Sequence, residues 1–109
     1  MFANYIDNTT NIRYTNNMQK VVFSNNVVKQ LPKIPKPIVL KAFSWVKEVE
    51  TKGLQEIRLI KGKHDEPLQG KRKGQRSVRL NKQWRLIYSE IDCTVIEIQE
   101  ITPHDYRTR

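Results

Sequence analysis

The sequence predicts an α+β domain. Up to Ile60 the apolar residues recur at helical spacing between proline and glycine breaks, and beyond it they fall into three strand-like runs with hairpin-sized connections. Helices gathered early and strands gathered late make the α+β plan, a small antiparallel sheet packed by two N-terminal helices. At 109 residues and 38% hydrophobic content, the chain has the length of one domain and enough apolar side chains for such a sheet with a helix or two against it.

Residues 1–17, MFANYIDNTTNIRYTNN, are rich in Asn and Thr without a clear period, and read as a flexible N-terminal extension or a peripheral strand. The domain then spans residues 18–109. Val21 to Phe23 form a short β-prone run. Ser24 or Asn25 can cap a helix that carries Val27, Val28 and Leu31. Pro32, Pro35 and Pro37 break that helix, and a second follows from about Pro37 to Thr51, with Gly53 suited to its C-terminal exit. Val39, Ala42, Phe43, Val46 and Val49 make its apolar stripe, the ordinary mark of a helix packed on a core, with Trp45 beside it. Leu54, Ile57, Leu59 and Ile60 suggest a short third helix or turn. Lys61 to Gly74 reads as a loop, and the strands as Gln75–Leu80, Trp84–Glu90 and Cys93–Ile101. Strand alternation puts Val78, Leu80, Trp84, Leu86 and Tyr88 toward the helices, and Ser77, Arg79 and Arg85 on the opposite face.

Charge narrows the partner. Ten basic residues lie between Arg58 and Arg85 against two carboxylates, Asp65 and Glu66, so +8 of the chain's formal +9 sits in this stretch. A solvated surface explains any one lysine. It explains the cluster less well, because crowded like charges cost stability unless an anion neutralises them. Phosphate binding with counterion release suits the cluster, and Lys63, Lys71, Arg72, Lys73, Arg76, Arg79 and Lys82 are the candidate RNA-binding residues. A membrane surface would want a basic amphipathic helix, whereas these cations occupy a glycine-punctuated loop and strands. No apolar run nears the ~18 to 20 residues of a membrane helix, and the N-terminus has no signal-peptide core. Cys93 is the only cysteine, which rules out an internal disulfide and a CxxC zinc site. The expectation is a cytoplasmic protein with no cofactor and no metal.

The carboxylates beside the cations suggest chemistry. RNA is cut without a metal when a general base takes the 2′-OH proton, cations hold the phosphorane charge and an acid protonates the leaving 5′-oxygen. Glu66, at the lip of the cationic run, is the candidate base. His64 and His104 are the two histidines, the side chain suited to acid–base work near neutral pH. Arg85 and Arg79 can grip a phosphate, and Tyr106 can stack on a base or donate a proton. The plainer readings are a turn cap or charge-balancing pair for Asp65 and Glu66, and a surface histidine for His64 or His104.

The run HDEPLQGKRKGQRSVRLNKQWRLIY followed by VIEIQEITPHDY resembles the RelE/ParE superfamily of bacterial type II toxins, in particular its HigB-like and RelE/YoeB-like mRNA interferases. The shared pattern is Glu66-Pro67-Leu68-Gln69-Gly70, Gly74, Ser77-Val78-Arg79, Trp84-Arg85-Leu86-Ile87-Tyr88 and a final His104-Asp105-Tyr106. The resemblance implies a RelE-like microbial RNase fold. It implies a ribosome-associated mRNA endoribonuclease that inhibits translation by 2′-OH attack, and a cognate antitoxin that blocks the site. By position, Glu66 matches the general base of YoeB-like members, Arg85 the transition-state arginine, Arg79 a phosphate-binding arginine, and His104 or Tyr106 the terminal acid or stacking residue. YoeB-like members carry a lysine after Glu-Pro-Leu where this chain has Gln69, so Lys71 or Lys73 is the candidate to supply that charge. Two other readings stand beside this one: a ParE-like inhibitor of DNA gyrase without nuclease activity, and a basic RNA-binding module without catalysis.

Overall fold

The structure is a computed structural model and describes residues 19–103. The expected N-terminal extension and the candidates His104 and Tyr106 lie outside the described residues.

Strand β1, Lys20–Phe23, leads into helix α1, Asn25–Gln30. Ser24 caps this helix, its Oγ accepting a hydrogen bond from the Val27 amide at 3.2 Å. A single 3₁₀ turn, Leu31–Lys33, absorbs Pro32. Helix α2, Lys36–Lys52, starts with Pro37 in its first turn, where the missing N–H costs no hydrogen bond. It stops at Gly53, whose φ of 88° and ψ of 146° fit glycine alone. The Gly53 amide still reaches back to the Val49 carbonyl at 2.8 Å, and helix α3, Leu54–Arg58, begins at once.

The inward line of α2 is Ile38, Ala42, Trp45 and Val49, all buried. It is rotated from the stripe expected on periodicity. Phe43 is exposed and stacks edge-on against Phe23, with ring centroids 5.6 Å apart, while Trp45 is fully buried against Tyr88 at 5.0 Å. The side chain with the most apolar area takes the centre of the interface, because its burial contributes most. The expected third helix keeps Leu54 and Ile57 inside, but leaves Leu59 and Ile60 exposed.

The sheet has the order β1-β5-β4-β3-β2. Strand β2, Glu66–Pro67, is a two-residue edge strand within the segment expected to be loop, and a proline is tolerated there because an edge needs fewer donors. Strands β3, Arg76–Arg79, β4, Trp84–Glu90, and β5, Val95–Pro103, form the expected meander. Two side chains shape its turns. Asn81 Oδ1 accepts from the amides of Gln83 and Trp84, and Asp92 Oδ1 from those of Thr94 and Val95. Hydrogen bonding to Thr94 holds the Asp92 carboxyl below the usual range. The pairs β2–β3, β3–β4 and β4–β5 are antiparallel, and β1 runs parallel to β5.

One irregularity matters for the site. Tyr88 pairs with Ile98 and Ile87 with Glu100, so Gln99 is an extra residue on β5, a β-bulge. Before it Ile96 and Ile98 face the core; after it Ile101 does, and Glu100 turns to the other face. The helices cover one face of the sheet, where the core lies, and leave the second face to the site.

Candidate nucleic-acid interface and active site

Directly paired antiparallel residues share a face, so register sorts the uncovered side of the sheet into rows. One row holds Glu66, Ser77, Ile87 and Glu100; the next holds Arg79, Arg85 and Thr102. Glu66, Arg79 and Arg85 therefore share the helix-free face in adjacent rows, roughly 7 Å apart along the strands. Thr102, the register partner of Arg85, lies two residues before His104 in the chain.

The side chains differ in their freedom. Glu66 is exposed and makes no ion pair with a described residue. Arg85 is half-buried. Its Nη1 donates to the carbonyls of Asn81 at 3.2 Å and Trp84 at 3.4 Å, which ties the guanidinium to the β3–β4 turn. The Nε of Arg79 is buried without a hydrogen-bond partner. Lys71 and Lys73 are exposed on the loop before β3 and make no ion pair with a described residue. Lys82 is exposed on the β3–β4 turn.

Three candidate cations are engaged elsewhere. Lys63 Nζ pairs with Glu48 Oε1 of α2 at 2.9 Å. Arg76 shares the parity of Val78, toward the helices, and its Nε donates to Asp65 Oδ1 at 2.6 Å. Arg72 reaches Glu100 Oε1 with Nη2 at 2.5 Å and Gln75 Oε1 with Nε at 2.7 Å. The stretch is thus partly neutralised, by its own Asp65 and by Glu48 and Glu100 from outside it.

Asp65 is the charge-balancing member of the carboxylate pair. Its side chain is 1% exposed and accepts from Arg76 and, through Oδ2, from the Tyr88 hydroxyl at 2.6 Å. Arg58 in turn donates to the Tyr88 oxygen at 3.4 Å and pairs with Glu90. Burial pushes the Tyr88 phenol well above its usual value; the Arg58 hydrogen bond opposes the shift and Asp65 adds to it. Burial works against the Arg58 guanidinium, yet Tyr88 and Glu90 leave it raised. This buried network fixes the start of β2, and with it Glu66, to the sheet.

Glu100 and Arg72's engagement were not foreseen. Strict alternation from Ile96 and Ile98 assigns position 100 to the core side, and only the bulge moves it out. Gln75, Ser89 and Gln99 are also linked on this face, with Gln75 Nε2 donating to Gln99 Oε1 at 2.6 Å and Ser89 Oγ at 3.0 Å from the same oxygen. Among the described residues no group of three or more His, Cys, Asp or Glu is placed to hold a metal ion, and no helix is long and apolar enough to cross a membrane.

No protein-family model matches the sequence, and no curated protein does. Solved structures do match. YafQ from E. coli superposes with a TM-score of 0.64 at 20% identity, over 79% of this chain and 93% of that one. The RelE–RelB complex from the archaeon Pyrococcus horikoshii contains a match at 0.62 and 22% identity, over 82% and 98%. The YoeB–YefM complex from Staphylococcus aureus contains one at 0.59 and 24%, over 80% and 98%. The α+β architecture with its helix-free face is the RelE-type fold that the sequence resemblance implied, and this chain has it.

Proposed function

We propose that this chain is the toxin of a type II toxin–antitoxin system, a cytoplasmic, ribosome-associated mRNA endoribonuclease of the RelE/ParE superfamily that needs no metal. The observation that carries the reading is the shared helix-free face of Glu66, Arg79 and Arg85, within a fold common to YafQ, YoeB and RelE. Glu66, exposed and in no ion pair with a described residue, is the general base for the 2′-OH. Arg79, with a spare buried donor, binds the scissile phosphate. Arg85, braced by two carbonyls, meets the charge that grows on the phosphorane with little reorganisation. His104 or Tyr106 serves the leaving 5′-oxygen or stacks a base. Lys71 and Lys73 extend the phosphate contacts. The structures of YoeB with YefM and RelE with RelB support a cognate antitoxin as partner.

The test is single-turnover cleavage of a programmed messenger on ribosomes, with and without EDTA. The expected products carry a 2′,3′-cyclic phosphate and a 5′-hydroxyl, and EDTA leaves the rate unchanged. Arg85→Ala should lower turnover on the order of 10²-fold or more with far less effect on binding, because the contact matures in the transition state. Glu66→Gln keeps the shape and removes the base, so it should also slow cleavage. Full activity in both variants rejects the site. Loss of DNA gyrase activity without RNA cleavage would assign the ParE-like function instead.

A further inference from the structure

Arg72 sits in the middle of the basic loop, yet it is the loop cation least available to a ligand. Its guanidinium is held at both ends, by Gln75 beside β3 and by Glu100 on β5. Those strands are separated by β4, so the side chain crosses the helix-free face to reach its anchor. The Gln75–Gln99 hydrogen bond makes the same crossing. Below lies Ile87, in the same row as Glu100. It is 5% exposed, although it stands outside the core cluster and no helix covers its face. The loop's bends need no side-chain room. Gly70 and Gly74 have φ of 66° and 101°, and a Cβ at either would meet nothing within 4 Å. Backbone hydrogen bonds close the loop at its base, the Leu68 amide donating to the Gln75 carbonyl at 2.9 Å, and the side-chain tethers of Arg72 and Gln75 are what tie it across the face.

The anchor exists because of the bulge at Gln99. A regular β5 would turn Glu100 into the core, where an ionised carboxylate is costly. The bulge adds Glu100 to a face that already carries Glu66 and Glu97. Matched to Arg72, Glu100 adds no unpaired negative charge beside the cations of this face.

We infer that Glu100 is a positioning residue and Arg72 a strap rather than a phosphate ligand. Anchored at Glu100, the strap holds the Gly70–Gly74 loop across the open face and presents Lys71 and Lys73 to an RNA strand that lies along the Arg79–Arg85 row. This rests on the nuclease reading above, and it divides the cations of the face into those that bind and those that hold.

Two measurements separate the strap from that reading. The first is amide hydrogen exchange of the loop in the free protein. Glu100→Gln and Arg72→Gln should each speed exchange across residues 70–75 several-fold, and the charge-swapped double variant Arg72→Glu/Glu100→Arg should restore protection. Unchanged exchange in both single variants overturns the strap, whatever the protein does to RNA.

The second is the salt dependence of binding to a fluorescent single-stranded RNA, with steady-state cleavage beside it. Each phosphate contact contributes a slope of ~0.7 in log K against log salt. Lys71→Gln and Lys73→Gln should each lower the slope by about that amount, and Arg72→Gln should leave it as it was while weakening binding several-fold. Glu100→Gln should raise KM several-fold with kcat nearly unchanged, and the swap should recover KM. A slope lowered by ~0.7 in Arg72→Gln, with tighter binding in Glu100→Gln, would make Arg72 a phosphate ligand and Glu100 its competitor, and the proposal would be wrong. A wild-type protein that binds no RNA rejects the nuclease reading alone, and the exchange result still decides the strap.

Discussion

Asp65 and Glu66 are adjacent in the chain and end on opposite faces. Asp65 is drawn under the sheet edge by Arg76 and Tyr88, while Glu66 stays in solvent one strand from Ser77. The first supports the second: a buried acceptor with two strong donors leaves the β2 backbone little freedom. Tyr88 gives this network a pH signature. Its folded-state pKa is raised above the usual value near 10. The folded protein therefore keeps the phenolic proton where the unfolded chain has lost it. The stabilisation is complete below pH ~10 and is lost as pH rises from there toward the folded-state value. Urea unfolding followed from pH 8 upward should show stability falling above pH ~10, and Tyr88→Phe should flatten that part of the decline. An identical alkaline limb in Tyr88→Phe would mean that the phenol does not keep its proton through the network.

At the level of elements, the α2–α3 junction depends on one residue. Gly53 adopts φ 88° and ψ 146° while buried, a combination closed to other residues without strain. Gly53→Ala should cost about 1–3 kcal/mol, read as a lower urea midpoint with an unchanged slope. The sequence announced this stop, because a glycine after a run of helical spacing has few other uses. It also announced the Ser24 cap, the proline breaks, the meander and the face of Arg79 and Arg85, all of which follow from short-range chemistry and strand alternation. Three features were hidden in it. The orientation of α2 was hidden because Phe43 and Trp45 both fit a helical stripe, and only packing against Tyr88 chooses between them. The parallel β1–β5 pair joins residues more than seventy apart, and no local pattern marks it. The bulge at Gln99 reverses the alternation without glycine or proline to signal it, so nothing local marks Glu100 as the partner of Arg72. The row of Arg79 and Arg85 was legible because both strands that carry it are regular, and the pairings of Lys63 and Arg72 were not because their partners come from α2 and β5.

Over the whole molecule, the sheet's two faces are specialised. One is sealed by three helices over an apolar core, and the other carries Lys71, Lys73, Arg79 and Arg85, none of them in an ion pair with a described residue. Such a face raises the local concentration of any polyanion. An RNA strand and an acidic protein segment would meet the same cations, Lys71, Lys73, Arg79 and Arg85, so the two ligands must compete. A cognate antitoxin would then act by occupying the substrate's place. On the proposed function, expression of this chain alone should arrest bacterial growth and co-expression of a cognate antitoxin should restore it. The purified complex should release fluorescent RNA that this chain alone retains. Lys71→Glu/Lys73→Glu should weaken both associations in the same direction. It should also reduce the salt dependence of each, since the lost contacts are exposed and screened by ions. If that double variant lost RNA binding but kept full affinity for the antitoxin, inhibition would have to come from another surface. The exposed Phe43 and Leu40 on α2 would be the next place to look. Loss of both affinities together ties toxicity and its control to the one face the helices leave open.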